Sequence, residues 1–311
     1  MHHYHLDTDF GGDPDDFAAL LMLLGMPDVR LTGITTVLDE TGHRAGAVWQ
    51  VLQAAGRTDI PVCAGARVGL TTSVRAGIRA DFWPNVEPRP AREPGESITT
   101  LERSMWMRSV LTLIGPYTNG AMFERVRGGL MRERRVVHMG GYIFPPVAGY
   151  PQWTAADDFN VQFDTRALEE LYKSFADITM VPMPVAMQAW ITDGDVDRIE
   201  ASGPLGQQLA GQVRAWGVDQ DWREIGISHE ALPDDLAGIM WDPVTALIAT
   251  GWDGATLEEM NLMPYIQNGI IQFEQDDENG RPVTVVTSID TSSFREAFLR
   301  AIERAQEKLP V

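Results

Sequence analysis

Short β-branched runs alternate with runs of helical spacing along most of this chain, and that alternation restricts the folds open to it. Val29–Val37 (VRLTGITTV), Pro61–Ala64, Val110–Ile114, Arg135–Met139 and Ile178–Val181 read as strands. Between and after them, Phe17–Leu24, Ala45–Ala55, Gly120–Val126, Thr165–Phe175, Leu205–Trp216, Pro243–Gly251 and Ser293–Lys308 carry helical periodicity. Strands joined through helices build a mainly parallel, doubly wound α/β sheet with helices on both faces. No repeat, low-complexity tract or charge-block linker divides the 311 residues, so one domain over residues 1–311 is expected. The exception to the alternation is Arg67–Pro94, rich in proline (Pro84, Pro88, Pro90, Pro94), which reads as a long loop of the kind that carries function.

In open sheets of this class ligands bind beyond the carboxyl ends of the strands. The segment after the first strand is the most unusual of these ends. Asp7-Thr8-Asp9-Phe10-Gly11-Gly12-Asp13-Pro14-Asp15-Asp16 sets five carboxylates in ten residues, directly before an apolar helix. Like charges so close repel one another unless a cation or a ligand's hydroxyls compensate them. An all-oxygen donor set suits Ca²⁺ or Mg²⁺ better than zinc or copper. A solvated Asp/Gly/Pro turn, with Asp15 or Asp16 capping the helix, is the plain alternative. An EF-hand is excluded, because the expected bidentate Glu position is Ala18. A phosphotransferase of the haloacid dehalogenase type would use Asp7-Thr8-Asp9 but leaves Asp15-Asp16 without a task.

The net charge of −19 disfavours nucleic acid and anionic membranes as partners. No apolar run is long enough to span a bilayer, and the N-terminus lacks the pattern of a signal peptide. A single cysteine, Cys63 in a strand, reads as a buried thiol in a reducing cytoplasm. His2, His3 and His5 read as the start of a strand, His138 as a satisfied core residue, and His229 as the start of a helix.

Four separated segments together resemble the Ca²⁺-dependent nucleoside hydrolases of the inosine–uridine-preferring family. These are Asp9…Asp15-Asp16, Leu113-Ile114-Gly115-Pro116-Tyr117-Thr118-Asn119, Met139-Gly140-Gly141 with Asp158-Phe159-Asn160, and Trp241-Asp242-Pro243. The resemblance implies that Asp9, Asp16, Asp242 and the main-chain carbonyl of Ile114 hold calcium. It implies that Asp9 is the general base toward the attacking water, and that Asp15, Asp158 and Asn160 hold the ribose. The expected substrate is a small-molecule ribonucleoside, cleaved to ribose and free base, and the expected assembly is a homodimer or homotetramer.

Departures from the family pattern bear on the base. The first motif is lengthened through Gly12-Asp13-Pro14, which makes Asp13 a further candidate ligand. Glu40 stands where many relatives have Asn, and Tyr150 follows Gly149 where the family has Asn near the 5′-hydroxyl. Trp241 replaces the His that serves other members as an acid, as in the purine-preferring branch, where two tryptophans sandwich the base. The second would be Trp83 of the proline-rich loop. A purine ribonucleoside is therefore the expected substrate. An atypical ribonucleoside, or a calcium-dependent nucleoside or sugar binder without turnover, are the alternatives.

Overall fold

The computed structural model describes residues 2–74, 76–174 and 176–307. Its main feature is one nine-stranded sheet. The strands are β1 (His2–Thr8), β2 (Val29–Thr36), β3 (Val62–Ala64), β4 (Val110–Leu113), β5 (Arg135–Met139) and β6 (Asp177–Val181). A two-stranded antiparallel sheet is formed by β7 (Trp190–Thr192) and β8 (Leu236–Ile239). Then come β9 (Ala255–Gln267), β10 (Ile270–Gln275) and β11 (Arg281–Ile289), giving the order β10-β9-β11-β6-β5-β4-β1-β2-β3. From β11 to β3 every neighbouring pair is parallel, whereas β9 runs antiparallel to both β10 and β11. The mainly parallel α/β class is as expected from the alternation. The antiparallel edge is an addition, as are the helices Glu96–Trp106, Asp193–Ala201 and Trp222–Ser228.

Period-two side-chain placement divides the core into two clusters, one on each face. Tyr4, Leu6, Val137, Met139 and Val181 join the cluster under the helices Asp15–Gly25, Trp241–Ala249 and Thr291–Glu307. Leu111, Leu113, Val136, Ile178 and Met180 join the other, under Glu96–Trp106, Thr118–Arg127 and Thr165–Lys173. The helix Asp15–Gly25 is buried along its whole length, which explains its apolar run.

That helix ends against the C-terminal one with no room to spare. A Cβ on Gly25 would lie 1.7 Å from the Ala301 carbonyl oxygen and 2.9 Å from the Ala305 nitrogen. Backbone cannot swing aside as a side chain can, so Gly25→Ala is expected to cost about 3 kcal/mol, toward the upper end of overpacking penalties. A lowered denaturant midpoint at constant m-value checks this, and an unchanged midpoint would refute the packing described.

The histidines and the cysteine do structural work. His5 is buried, with Nδ1 2.8 Å from Ser104 Oγ and Nε2 2.9 Å from Thr35 Oγ1. His138 is buried with Nε2 3.0 Å from the Tyr172 hydroxyl, and burial holds both imidazoles near pKa 3. His229 closes the helix Trp222–Ser228 rather than starting one, and its Nδ1 lies 2.8 Å from the Ile225 carbonyl. Burial pushes the Cys63 thiol up to about 12, so it is not a nucleophile at neutral pH. Among the described residues no helix is long and apolar enough to cross a membrane.

Candidate active site

A cavity of about 550 Å³ opens at the carboxyl ends of the central strands. Its floor is acidic. Asp9 follows β1, Asp15 and Asp16 form the first turn of the helix Asp15–Gly25, and Asp242 lies in the first turn of Trp241–Ala249. These two helices pack together, and the Asp242 N–H donates to Asp15 Oδ2 at 3.2 Å. Both positive helix ends are thereby aimed at one set of carboxylates, which offsets part of their repulsion. Ile114, after β4, brings its carbonyl to the same cavity, and the Gly115 that follows permits close approach: a Cβ there would meet Asp9 Oδ1 at 2.7 Å.

The lengthened motif places Asp13 inside the cluster. Asp13, Asp15 and Asp16 each offer an oxygen within 4.8 Å of the others, a spacing that suits one cation. Asp15 Oδ1 is buried without a hydrogen-bond partner, an arrangement that a bound cation would satisfy. The donors are all oxygens, so the residues fit Ca²⁺. Thr8 donates to Asp16, which fixes that carboxylate from the strand side.

The electrostatics of these groups are severe in the absence of a cation. Burial is the main cause raising Asp9 to about 6, with Arg44 opposing and Asp13 adding to the rise. Burial, then neighbouring carboxylates, hold Asp15, Asp16 and Asp242 well above the ordinary range. Asp7, just behind the site, is raised to about 7 chiefly by burial, although Thr35 and Asn119 donate to it.

A pH dependence with a definite sign follows. Groups whose folded pKa lies above the unfolded value bind more protons when folded, so stability falls as pH rises between the two values. In chelator, these aspartates should make the protein less stable at pH 7.5 than at pH 5. Calcium should recover stability at pH 7.5 and have less effect at pH 5, where protons compete for the same oxygens. Thermal melts at the two pH values, with and without calcium, measure this; equal calcium effects at both would contradict it.

The ribose candidates line the same cavity. Asp158 caps the helix Phe159–Phe163, accepting from Val161 N at 3.1 Å and from Gly141 N at 2.7 Å, and burial raises it to about 6. Asn160 Nδ2 donates to the Ile114 carbonyl at 3.1 Å and contacts Met139 Sδ at 3.4 Å. A carbonyl has two lone pairs, so Ile114 keeps capacity for a second interaction. Asn119, in the same segment as Ile114, sits behind the site instead, bonding Asp7, Thr36 and Ala66 across three strand ends.

Three expected substrate contacts lie elsewhere. Trp83 is 2% exposed and packs between Phe10 and Phe17, with ring centroids at 5.0 and 5.3 Å. The loop carrying it is drawn inward by Arg79 N–H donating to Gly11 O at 2.8 Å and by Gln212 donating to Phe82 O at 3.0 Å, which commits the indole to the core. Glu40 is exposed at the mouth of an adjoining cavity of about 480 Å³, outside the acidic one. In the turn between β2 and the helix His43–Ala54, the Asp39 carboxylate accepts from the backbone N–H groups of Arg44 and Ala45, while Glu40 is exposed. Tyr150 is half-buried against the core and does not line the acidic cavity.

The structure supplies other aromatic residues in their place. Trp153, Trp216 and Trp222 line the cavity with Trp241, and Trp153 lies 5.7 Å from Trp241 and 6.2 Å from Trp222 between centroids. Trp153 belongs to the loop joining Gly141 to Asp158, two segments already tied to the site, and that connection was its sequence signal. Trp216 and Trp222 lie on helices far along the chain and had no local signal. Arg44 had one: a basic residue in the first turn of a helix, among Ala45, Ala47 and Val48, opposes the helix dipole and calls for a local reason. Its buried guanidinium donates to the carbonyls of Asp9, Phe10, Leu38, Ala76 and Gly77.

Residues 4–296 match the family model described as "Inosine-uridine preferring nucleoside hydrolase". The chain belongs to this family. It is a hydrolase of N-glycosidic bonds in nucleosides. Similar sequences include the "Pyrimidine-specific ribonucleoside hydrolase RihA" of Shewanella baltica, 32% identical over 244 residues, with 72% of this chain and 73% of that protein covered. A RihA of another Shewanella species is 31% identical over 93% of this chain and 92% of its own length. Among solved structures, the "Purine-Preferring Ribonucleoside Hydrolase" of Gardnerella vaginalis superposes with a TM-score of 0.76 at 19% identity, covering 98% and 99% of the two chains. An "Inosine-Guanosine Nucleoside Hydrolase" gives 0.74 at 18% identity, with 97% and 99% covered, and both show the shared nucleoside hydrolase fold.

Proposed function

We propose that this nucleoside hydrolase depends on calcium and prefers purine ribonucleosides. The observation that carries the reading is that two unlike sets of residues line one cavity: the aspartate cluster with an unpartnered Asp15 oxygen, and the tryptophans around Trp153 and Trp241. Asp9, Asp16 and Asp242, with Asp13 or Asp15 and the Ile114 carbonyl, would hold the ion. When bound, it supplies Lewis acidity toward a water and toward the ribose hydroxyls.

Asp9 then takes a proton from the attacking water, as a carboxylate placed just after β1, where Arg44 donates to its main-chain carbonyl. Asp15, Asp158 and Asn160 orient the ribose by hydrogen bonds to its hydroxyls. Water adds to the anomeric carbon as the C–N bond breaks. Positive charge gathers on the sugar ring in the transition state, and the surrounding carboxylates favour it electrostatically. The base rests against indole rings rather than against a histidine, and the breadth of the tryptophan wall suits a bicyclic ring.

A pyrimidine preference is the second reading, favoured by the names of the Shewanella relatives. Comparing kcat/KM for inosine, adenosine and guanosine with that for uridine and cytidine separates the two. A purine advantage of tenfold or more supports the proposal. A pyrimidine advantage replaces it with the second reading, and binding without release of ribose from any of them would make the protein a binder.

A further inference from the structure

Strand β10 ends the sheet and pairs with β9 on one side only. Its other side bonds to the chain that runs from Gly141 to Asp164. The Phe273 N–H donates to the Tyr142 carbonyl at 3.3 Å. Ile271 donates its N–H to Gln162 Oε1 at 3.1 Å and accepts from Gln162 Nε2 at 2.8 Å, the two-bond exchange that a residue of a neighbouring strand would make. The same Nε2 donates to the Ala155 carbonyl at 2.8 Å. Only one orientation of the amide meets these partners, because the reverse one would set its NH₂ against the Ile271 N–H.

Gln162 lies on the helix Phe159–Phe163, which has five residues. A helix so short is not stable by itself, and its orientation comes from what its residues hold. Its ends are pinned. Asp158 accepts from the N–H groups of Gly141 and Val161, and Asp164 accepts from those of Leu70 and Thr71 and from the Thr118 hydroxyl. Between the ends, two amides reach out in different directions. Asn160 lines the cavity and bonds the Ile114 carbonyl, whereas Gln162 does not line it and bonds β10. Residues two apart on an α-helix are about 200° apart around its axis, so these amides leave nearly opposite faces. Holding one sets the aim of the other.

We propose that Gln162 is a positioning residue for nucleoside hydrolysis: by gripping β10 it sets the rotation of the helix Phe159–Phe163 and so aims Asn160 at the ribose. This rests on the ribose-binding role proposed for Asn160. A misplacement of about 1 Å in an orienting group can cost about 10²-fold in rate, so the antiparallel edge of the sheet contributes to turnover without touching the substrate.

Gln162→Met keeps the length of the side chain and removes all three bonds. Gln162→Glu keeps the acceptor for the Ile271 N–H and sets a carboxylate against two carbonyls. Each is made alone and with Asn160→Ala, and either one that folds by circular dichroism decides the matter. Melting temperature and kcat/KM for the better of inosine and uridine are measured at saturating calcium, with enough protein to follow the residual turnover of Asn160→Ala. With Asn160 present, the Gln162 substitution should lower kcat/KM at least tenfold. In the Asn160→Ala background it should lower kcat/KM less than twofold, although the melting temperature falls equally in both, because the lost bonds to β10 are the same. A role confined to stability would give equal losses of kcat/KM in the two backgrounds. That result, or full activity of a folded Gln162 variant, would overturn the proposal and leave the hydrolase reading standing. Full activity of Asn160→Ala would remove the ribose role of Asn160 and the proposal with it.

Discussion

Replacing Asp9 with Asn should lower kcat by about 10²–10⁴-fold, the range expected for loss of a general base. The substitution keeps the size of the side chain and its place after β1, so the fold should survive. Asn cannot accept the proton of the attacking water, and the chemical step loses its base. Asp9 also belongs to the proposed ion site, so calcium affinity should weaken as well. A calcium titration of the variant distinguishes these effects: at saturating calcium the loss in kcat remains if Asp9 is the base, and it disappears if Asp9 only holds the ion. Substrate affinity, measured directly by equilibrium binding at saturating calcium, should change far less than kcat, because Asp15, Asp158 and Asn160 are untouched.

The largest effect on stability is expected at Arg44. Its buried guanidinium ties the loop after β1, the turn after β2 and the segment around Ala76-Gly77 to one point through five carbonyls. Arg44→Met fills similar volume but leaves those carbonyls without their donor. Each buried orphan costs about 1–3 kcal/mol, and water from the adjoining cavities can relieve only part of the set. The loss should therefore be about 3 kcal/mol or more, read as a lower urea midpoint. Arg44→Lys should recover only part of it, since an ammonium cannot span the same fan of acceptors. The cation also opposes the rise of Asp9, so removing it should weaken the acidic loop most when calcium is absent. An unchanged midpoint for Arg44→Met would show that the five carbonyls are satisfied without it.

Much of the site was legible because its main parts are local. A strand, an aspartate-rich turn and an apolar helix follow one another from His2 to Gly25, and the chain has little freedom in how it connects them. Trp241-Asp242 came from the resemblance to the family, just ahead of the expected helix Pro243–Gly251, and in the structure both residues belong to the first turn of that helix. Asp13 depended on the path of a two-residue extension, which spacing alone leaves open. Trp83 was misplaced for a different reason. Loop residues have no period to orient them, and what carries Trp83 inward is the apolar pair Phe10 and Phe17, distant in sequence. The strands β9 and β10 escaped notice because they form the outer edge of the sheet, where much of β9 is exposed and polar residues break the pattern of burial.

Arg44 and the tryptophan wall show where the signals in the sequence were too faint to give a residue its role. A buried arginine satisfied by carbonyls has no partner of opposite charge in the sequence to announce it. Trp153, Trp216 and Trp222 meet only because a loop and two helices converge above the acidic cluster. Aromatic residues at such positions read as ordinary core until the cavity beside them is seen.

Release of ribose from inosine and uridine, followed with calcium and then with an excess of chelator, bears most directly on the account. The aspartate cluster predicts turnover with calcium, its loss on chelation, and its recovery when calcium is restored. Undiminished turnover in protein shown to be free of divalent cations would contradict it, and the cluster would need another explanation.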